Sequence, residues 1–335
     1  MIRIAVDAMG GDRGPETIVD GALDAARETG VSLSLVGRED RLRELLADRP
    51  DASALDVVVV PADEAVGMGE RPTAALRQRP RASIRVAAAE VAAGRAAALF
   101  SAGNTGATVM AAHAAFGMLD GAERPALAVI VPTRRSPAVL LDVGATVACR
   151  PRHLLQFVAM GAVYARLALG VERPRVGLLS IGEEETKGND LTQKAHRLLR
   201  ASGLNFTGNL EARDVFAGGA DVIVCDGFTG NIALKVSEGL VEMIGGLLRE
   251  WAAGLGGELA PRVGGELADL FRRRVDDSEH GGVPLLGVAG LALIGHGRSS
   301  ARAVRQGVLS AERFASTGFI ARLQQGIAAA GVAHR

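Results

Sequence analysis

Cysteine is almost absent from the 335 residues: Cys149 and Cys225 stand far apart and in no metal-ligand spacing. A disulfide scaffold and a zinc site of the usual kind are therefore excluded, and a reducing compartment is the natural setting. Net charge is absent too. Lys and Arg total 38 and Asp and Glu total 38, so no global basic field exists to collect nucleic acid, and a charged partner must meet a local patch. Lysine itself is scarce. Only Lys187, Lys194 and Lys235 occur among the 38 basic residues, and all the others are arginine. A coding bias that installs arginine wherever a positive charge suffices makes each surviving lysine a pointer to chemistry that a guanidinium cannot perform. Chance survival on a solvated helix face is the competing explanation.

Much familiar motif chemistry is missing as well. There is no G-x-G-x-x-G, no G-x-x-x-x-G-K-[ST], no H-E-x-x-H and no G-x-S-x-G, so the usual signatures of NAD binding, phosphate loops, metalloproteases and serine hydrolases are not present. Neither cysteine has an activating flank. The stretch MIRIAVDAMGGD has no basic segment followed by a long apolar core and does not read as a signal peptide. Ala96 to Leu119 carries no charge and is long enough to span a bilayer. Ser101, Gly103, Asn104, Thr105 and Gly106 interrupt it, which fits a buried strand, a loop and a helix.

The composition, 48% hydrophobic and 23% charged, is that of an ordinary globular protein. Apolar β-rich runs alternate with helical patterns. Strands are expected at Ile2–Val6, Ser32–Val36, Val57–Val60, Leu99–Phe100, Ala126–Val131, Val139–Asp142, Val176–Ser180 and Val222–Cys225. Helices are expected at Glu16–Glu28, Arg38–Leu46, Ile84–Ala93, Ala107–Phe116, Pro151–Leu169, Leu191–Ala201 and Ile232–Glu250. Such alternation predicts an α/β fold with a mainly parallel sheet covered on both faces. Residues 1–335 read as a single α/β catalytic unit, from which a helical hairpin over 232–275 protrudes. Its tip would be Trp251, Leu255, Leu259 and Val263, placed to dip into a lipid headgroup region. Packing of the hairpin faces on the sheet or on a dimer mate is the alternative.

In parallel sheets ligands bind beyond the carboxyl ends of the strands, and four polar, glycine-rich loops lie at such ends. Ser101–Ala107 reads SAGNTGA. Its glycines let amides turn inward, Ser101, Asn104 and Thr105 add neutral donors, and the helix that follows adds positive potential for a phosphate. A tight helix-capping turn fits the same residues. Gly182–Asp190, GEEETKGND, sets three glutamates beside Lys187, with Asn189 at a helix cap; a surface ion-pair cluster is the bland reading. Cys225–Asn231, CDGFTGN, repeats the strand–turn–helix logic with Asp226, Gly227, Thr229, Gly230 and Asn231, and Lys235 follows one helical turn later. Gly295–Ser300, GHGRSS, leaves His296 open between glycines as an acid, base or donor. His113, His153, His196 and His334 read as structural. The basic stretch Glu70–Arg85 is a solvated loop and helix start, or else a landing patch for an acidic partner.

The segments VDAMGGD, SAGNTGA, LLDVGA, GLLSIGEEETKGN, NFTGNLEARDV, CDGFTGNIALK and GGVPLLG with HGRSS resemble, in this order and over essentially the whole chain, the bacterial phosphate acyltransferase (PlsX) family of phospholipid synthesis. Thr146 and Ala148 stand where Asn and an acidic residue are common in that family, and His280 and Val283 where Tyr and Ala are. The resemblance implies a Rossmann-like three-layer α/β/α sandwich, akin to phosphotransacetylase and isopropylmalate dehydrogenase. It also implies conversion of acyl-(acyl carrier protein) and inorganic phosphate to acyl phosphate, which feeds a glycerol-3-phosphate acyltransferase. A cytoplasmic homodimer with weak peripheral attachment to the membrane is implied as well, with no cofactor, no metal and no nucleic acid. On that chemistry Lys187, Asn231, Lys235 and His296 are the catalytic candidates. Ser101, Gly103, Asn104, Thr105, Gly106, Asn189, Asp226, Gly227, Thr229 and Gly230 are the phosphate or substrate ligands. Arg77, Arg79, Arg81 and Arg85 would dock the acidic carrier. A dehydrogenase of the isopropylmalate type and a non-enzymatic membrane-surface scaffold are the other readings.

Overall fold

The computed structural model describes residues 2–254, 264–266 and 281–330. Its strands are β1 (Arg3–Asp7), β2 (Ser32–Gly37), β3 (Val57–Pro61), β4 (Ala98–Ser101), β5 (Ala126–Val131), β6 (Ala138–Leu141), β7 (Val176–Leu179), β8 (Phe206–Leu210), β9 (Val222–Val224), β10 (Val283–Leu286) and β11 (Leu291–Ile294). The helices that matter here are α1 (Gly14–Thr29), α2 (Glu39–Ala47), α3 (Pro72–Gln78), α4 (Ser83–Ala92), α5 (Thr105–Phe116), α6 (Pro151–Leu169), α7 (Asp190–Arg200), α8 (Gly227–Gly254), α9 (Ala301–Ser316) and α10 (Phe319–Ala329). The chain divides into two compact units, residues 1–128 with 280–335, and residues 129–279, where the sequence reads as one catalytic unit.

In the first unit the strand order is β3-β2-β1-β4-β11-β10-β5. The first five run parallel, and β10 is antiparallel to β11 and β5. In the second unit the order is β6-β9-β7-β8, all parallel. The α/β class with a mainly parallel arrangement is thus the observed one. Strands such as ALFS of β4 and VGLL of β7 bury every residue, as strands covered on both faces must. Register then places the loops. Asp7 is opposite Ser101 and Ser101 is opposite Ile294, so β1, β4 and β11 release their loops at one edge. Likewise Leu141 is opposite Val224, and Val224 is opposite Leu178, so β6, β9 and β7 end together.

Two features of the chain after β9 depart from the sequence reading. First, α8 begins at Gly227, inside the segment expected to be a turn. The carboxylate of Asp226 accepts the Thr229 N–H at 3.0 Å and the Thr229 hydroxyl at 2.7 Å, and this side-chain cap starts the helix despite two glycines. Second, the hairpin expected over 232–275 is described only in part: α8 supplies one arm, and residues 255–263 and 267–275, with Leu255, Leu259 and Val263, lie outside the described residues. The apolar side chains Ile232, Val236, Leu240, Ile244 and Trp251 of α8 are exposed, and only Gly227, Gly230, Gly245 and Ala252 of the helix are buried.

Helices α1 and α9 cross through Gly21. A Cβ there would stand 2.3 Å from the Ala301 carbonyl oxygen and 2.6 Å from Val304 Cβ. The backbone of α9 cannot yield without unseating α9 from β4 and β11, on which it packs. Gly21→Ala is therefore expected to destabilise the protein by about 2 kcal/mol, although alanine is the better helix former. Urea denaturation measures this; an unchanged midpoint would show that the crossing relaxes freely.

Candidate active site

The first unit gathers three of the glycine-rich segments. Gly10 and Gly103 meet so closely that a Cβ on Gly10 would lie 2.7 Å from Gly103 N. Asp12 N–H donates to the Gly297 carbonyl at 2.8 Å. Asp7, to which the sequence reading gives no role, organises the centre. It is only 3% exposed. Its Oδ2 accepts the Ser101 hydroxyl at 2.8 Å, and Ser101 Oγ in turn accepts Gly103 N–H at 3.1 Å. Burial pushes the Asp7 carboxyl above the ordinary aspartate value, against the hydrogen bonds from Ser83, Ser101 and Met9 that pull it down. A pocket of about 10 Å³ lies beside it, lined by Asp7, Ser83, Gly103, Asn104 and Thr108. That is room for one water and not for a phosphate.

In this geometry part of the expected phosphate set is engaged within the protein. Ser101 is fully buried and its hydroxyl hydrogen is committed to Asp7. Asn104 is the N-cap of α5: its Oδ1 accepts Ala107 N–H at 3.0 Å, and its amide donates to the carbonyls of Met68, Glu70 and Gly67 at 2.9, 3.2 and 3.3 Å. The Gly103 N–H is spent on Ser101. What faces outward is Thr105, exposed at the first helical position, with Gly106 behind it. The N–H groups of these two have no intrahelical acceptor, as at any helix start.

In the same unit His296 is exposed, and its Nδ1 accepts the Arg298 N–H at 3.2 Å. The neutral ring then carries its hydrogen on Nε2, where it acts as a donor. Of the four arginines expected to dock a carrier, two are already engaged. Arg79 pairs with Glu70 at 2.8 Å and donates to the Ala65 carbonyl, and Arg81 pairs with Asp63 at 2.8 Å. Arg79 holds the Glu70 carboxyl below its usual value. Arg77 is exposed and has no ion pair among the described residues; Arg85, also exposed, donates to the Leu76 carbonyl at 2.7 Å.

The second unit has its own buried aspartate. Asp142, with no exposed surface, accepts N–H bonds from Gly144, Ala145 and Thr146 at 3.1, 2.9 and 2.6 Å. The start of α8 is pressed against this turn. A Cβ on Gly230 would lie 1.9 Å from the Asp142 carbonyl oxygen, and one on Gly227 would lie 2.7 Å from its carboxylate. Asn231 is exposed and donates from Nδ2 to the Val143 carbonyl at 3.2 Å. Thr229 has given its hydroxyl hydrogen to Asp226, so it meets a ligand only as an acceptor. The structure thus joins the turn after β6 to the CDGFTGN segment. Cys225 is buried, and burial, with the nearby Asp142 and Asp226 carboxylates, raises its thiol well above the ordinary range; it serves packing, as the sequence suggests.

The three lysines differ in surroundings. Lys194 pairs with Asp190 at 3.1 Å and Lys235 with Glu238 at 2.7 Å, both exposed. Lys187 is exposed and has no carboxylate partner among the described residues. Its stem lies over Gly182, where a Cβ would meet Lys187 Cγ at 2.8 Å. Asn189 is the N-cap of α7, accepting Thr192 N–H at 3.0 Å, so its side-chain oxygen serves the helix.

The Asp7 carboxyl gives a prediction with a sign. Its folded-state value is raised, so its contribution to stability is whole below the ordinary aspartate value, about 4, and is lost as pH rises through the folded value. Asp7→Asn cannot ionise and escapes this loss. The urea midpoint of the wild type should therefore fall relative to that of Asp7→Asn as pH is raised from about 4. Parallel pH curves for the two proteins would show that Asp7 does not titrate this way.

Residues 2–322 match the family described as "Fatty acid synthesis protein". A phosphate acyltransferase of Acidobacterium capsulatum is 45% identical over 332 residues, covering 99% of this chain and 98% of that protein. One from Nitratidesulfovibrio vulgaris is 47% identical over 328 residues, covering 97% and 95%. Among solved structures, a phosphotransacetylase from Streptococcus pyogenes superposes with a TM-score of 0.64 over 94% of each chain. At 16% identity that likeness shows the fold alone. The match of nearly the whole chain makes this protein a member of the fatty acid synthesis protein family, alongside the phosphate acyltransferases.

Proposed function

We propose that this protein transfers the acyl group of an acyl-(acyl carrier protein) to inorganic phosphate. The acyl phosphate formed then serves a downstream glycerol-3-phosphate acyltransferase in phosphatidic acid synthesis. The observation that carries the reading is the full-length likeness to phosphate acyltransferases; it also disfavours the dehydrogenase and scaffold readings. In the reaction a phosphate oxygen attacks the thioester carbonyl carbon, the C–S bond breaks, and the phosphate proton ends on the carrier thiol. Such a site must hold a dianion without quenching it, stabilise the oxyanion, and supply a proton to sulfur.

Each of the two units presents candidate groups for one or more of these tasks. In the first unit the start of α5 offers the Thr105 hydroxyl and the N–H groups of Thr105 and Gly106 to a phosphate. His296, with its hydrogen on Nε2, is a hydrogen-bond donor to the oxyanion or the departing sulfur. In the second unit Asn231 keeps one amide hydrogen beyond its bond to Val143. Lys187 supplies a localised charge that no carboxylate among the described residues offsets, whereas Lys235 is compensated by Glu238. Ser101, Gly103, Asn104, Asn189 and Asp226 hold these groups in place from behind.

The carrier reading rests on Arg77 and Arg85, since Arg79 and Arg81 already have carboxylate partners. The exposed apolar stripe of α8, with Trp251 57% exposed near its end, supports a homodimer and weak attachment to a membrane surface from the cytoplasmic side. No described helix is long and apolar enough to cross a membrane. Light scattering and liposome co-sedimentation of a Val236→Glu, Leu240→Glu protein test both associations, and neither stands if both measurements match wild type.

The reaction is tested by mixing purified protein with acyl-carrier thioester. Acyl phosphate should form only when phosphate is supplied, and hydrolysis alone would overturn the reading. In this assay Lys187→Arg is expected to lose about a hundredfold in kcat/KM, while Lys194→Arg stays near wild type. Equal tolerance at the two positions would remove Lys187 from the site. Arg77→Glu with Arg85→Glu is expected to raise KM for the acylated carrier and flatten its salt dependence, leaving KM for phosphate in place. An unchanged KM would move the docking surface elsewhere.

A further inference from the structure

Asn209 lies on β8 and His196 on α7, and both are buried, 5% and 4% exposed. The sequence reads His196 as structural, and the reaction above uses neither residue. Their hydrogen bonds run in one direction. Asn209 Nδ2 donates to the Glu184 carbonyl at 2.9 Å. Because a carbonyl only accepts, the amide group of Asn209 must face it, which turns Oδ1 toward His196. The 2.8 Å contact between Asn209 Oδ1 and His196 Nδ1 is therefore a bond donated by the imidazole. The Phe206 and His196 rings pack in a T-shaped pair with centroids 5.1 Å apart, which fixes the plane of the imidazole.

The far end of this chain is the turn that carries Lys187. The Glu184 carbonyl that receives Asn209 also receives the Lys187 N–H, at 3.0 Å. On the other side Gln193 Nε2 donates to the carbonyls of Thr186 at 2.7 Å and Gly188 at 3.3 Å. Lys187 thus leaves a turn tied to α7 and β8 through its carbonyls. An ammonium on a loose turn must order backbone and side chain together when it engages a ligand, and a backbone fixed beforehand removes the first of these costs.

We propose that His196 and Asn209 are positioning residues for acyl transfer: the buried imidazole–amide pair fixes the Glu184–Lys187 turn and thereby the Lys187 ammonium. This rests on the reading that Lys187 serves the reaction.

The experiment is a double-mutant cycle. Asn209→Asp keeps the acceptor for His196 and puts a carboxylate oxygen in place of the donor to the Glu184 carbonyl. It should lower kcat/KM for phosphate about tenfold in the wild-type background and less than about twofold in a Lys187→Ala background. His196→Asn, which keeps a donor at the Nδ1 position, should stay within about twofold of wild type, and His196→Leu should fall like Asn209→Asp. Hydrogen exchange of the Lys187 amide should quicken about tenfold in Asn209→Asp and His196→Leu. An equal loss in both backgrounds, or an unchanged exchange rate, overturns the proposal. If Asn209→Asp does not fold, the His196 pair decides by the same two readouts. If Lys187→Ala alone is silent, the role of Lys187 in the reaction has failed, and the exchange rates alone decide whether the pair fixes the turn.

Discussion

Asp7 and Asp142 are aspartates buried at the C-terminal ends of β1 and β6, where a carboxyl group must be given hydrogen bonds or disrupt what surrounds it. Each draws its partners from the loop nearby. Asp142 takes three consecutive backbone N–H groups and so winds the chain after β6 into a tight turn. Asp7 takes the Ser101 hydroxyl from the neighbouring strand, and Ser101 takes the Gly103 amide. Loop geometry in both units follows from satisfying a charge or proton that the fold has taken out of water.

The glycines follow from the same requirement. With the Asp142 turn fixed, α8 can begin beside it only where residues 227 and 230 lack side chains. With the β4 loop drawn toward Asp7, Gly10 and Gly103 must pass at a distance that leaves no room for a methyl group. What looks in the sequence like flexible phosphate-cradling glycine is, at these positions, close approach of backbone to backbone. Conformational freedom is the reason at Gly188, whose φ is +98° and which ends the turn carrying Lys187.

Several polar side chains of the motifs are consequently committed to bonds within the protein. Asn104, Asn189 and Asp226 cap helices, and Ser101 bridges two strands. Thr105, Lys187, Asn231 and His296, one from each motif, are among the exposed side chains. A loop that presents a single reactive group on a backbone held from behind is preorganised, and preorganised donors cost no rearrangement when charge develops on a substrate.

The α/β class, the parallel strands and the loops at their carboxyl ends are legible in the sequence because apolar runs and glycine clusters are local signals. The scarcity of lysine singles out Lys187, and only the structure shows that it has no carboxylate partner among the described residues. Strand β8 escapes the pattern because Gly208 and Asn209 break its apolar run. Helices α3, α9 and α10 are also absent from the expected elements: α3 is short and lies within a basic stretch, while α9 and α10 carry amphipathic patterns that would have revealed them. Which donors stay free is not legible at all. Ser101 and Thr105 look alike as hydroxyl residues of one motif, and they differ only because β1 sets Asp7 opposite Ser101, whereas Thr105 starts α5 beyond the strand end. Residue type and spacing fix what a side chain can donate. The partner that claims the donation comes from ninety-four residues away, and only tertiary packing brings it there.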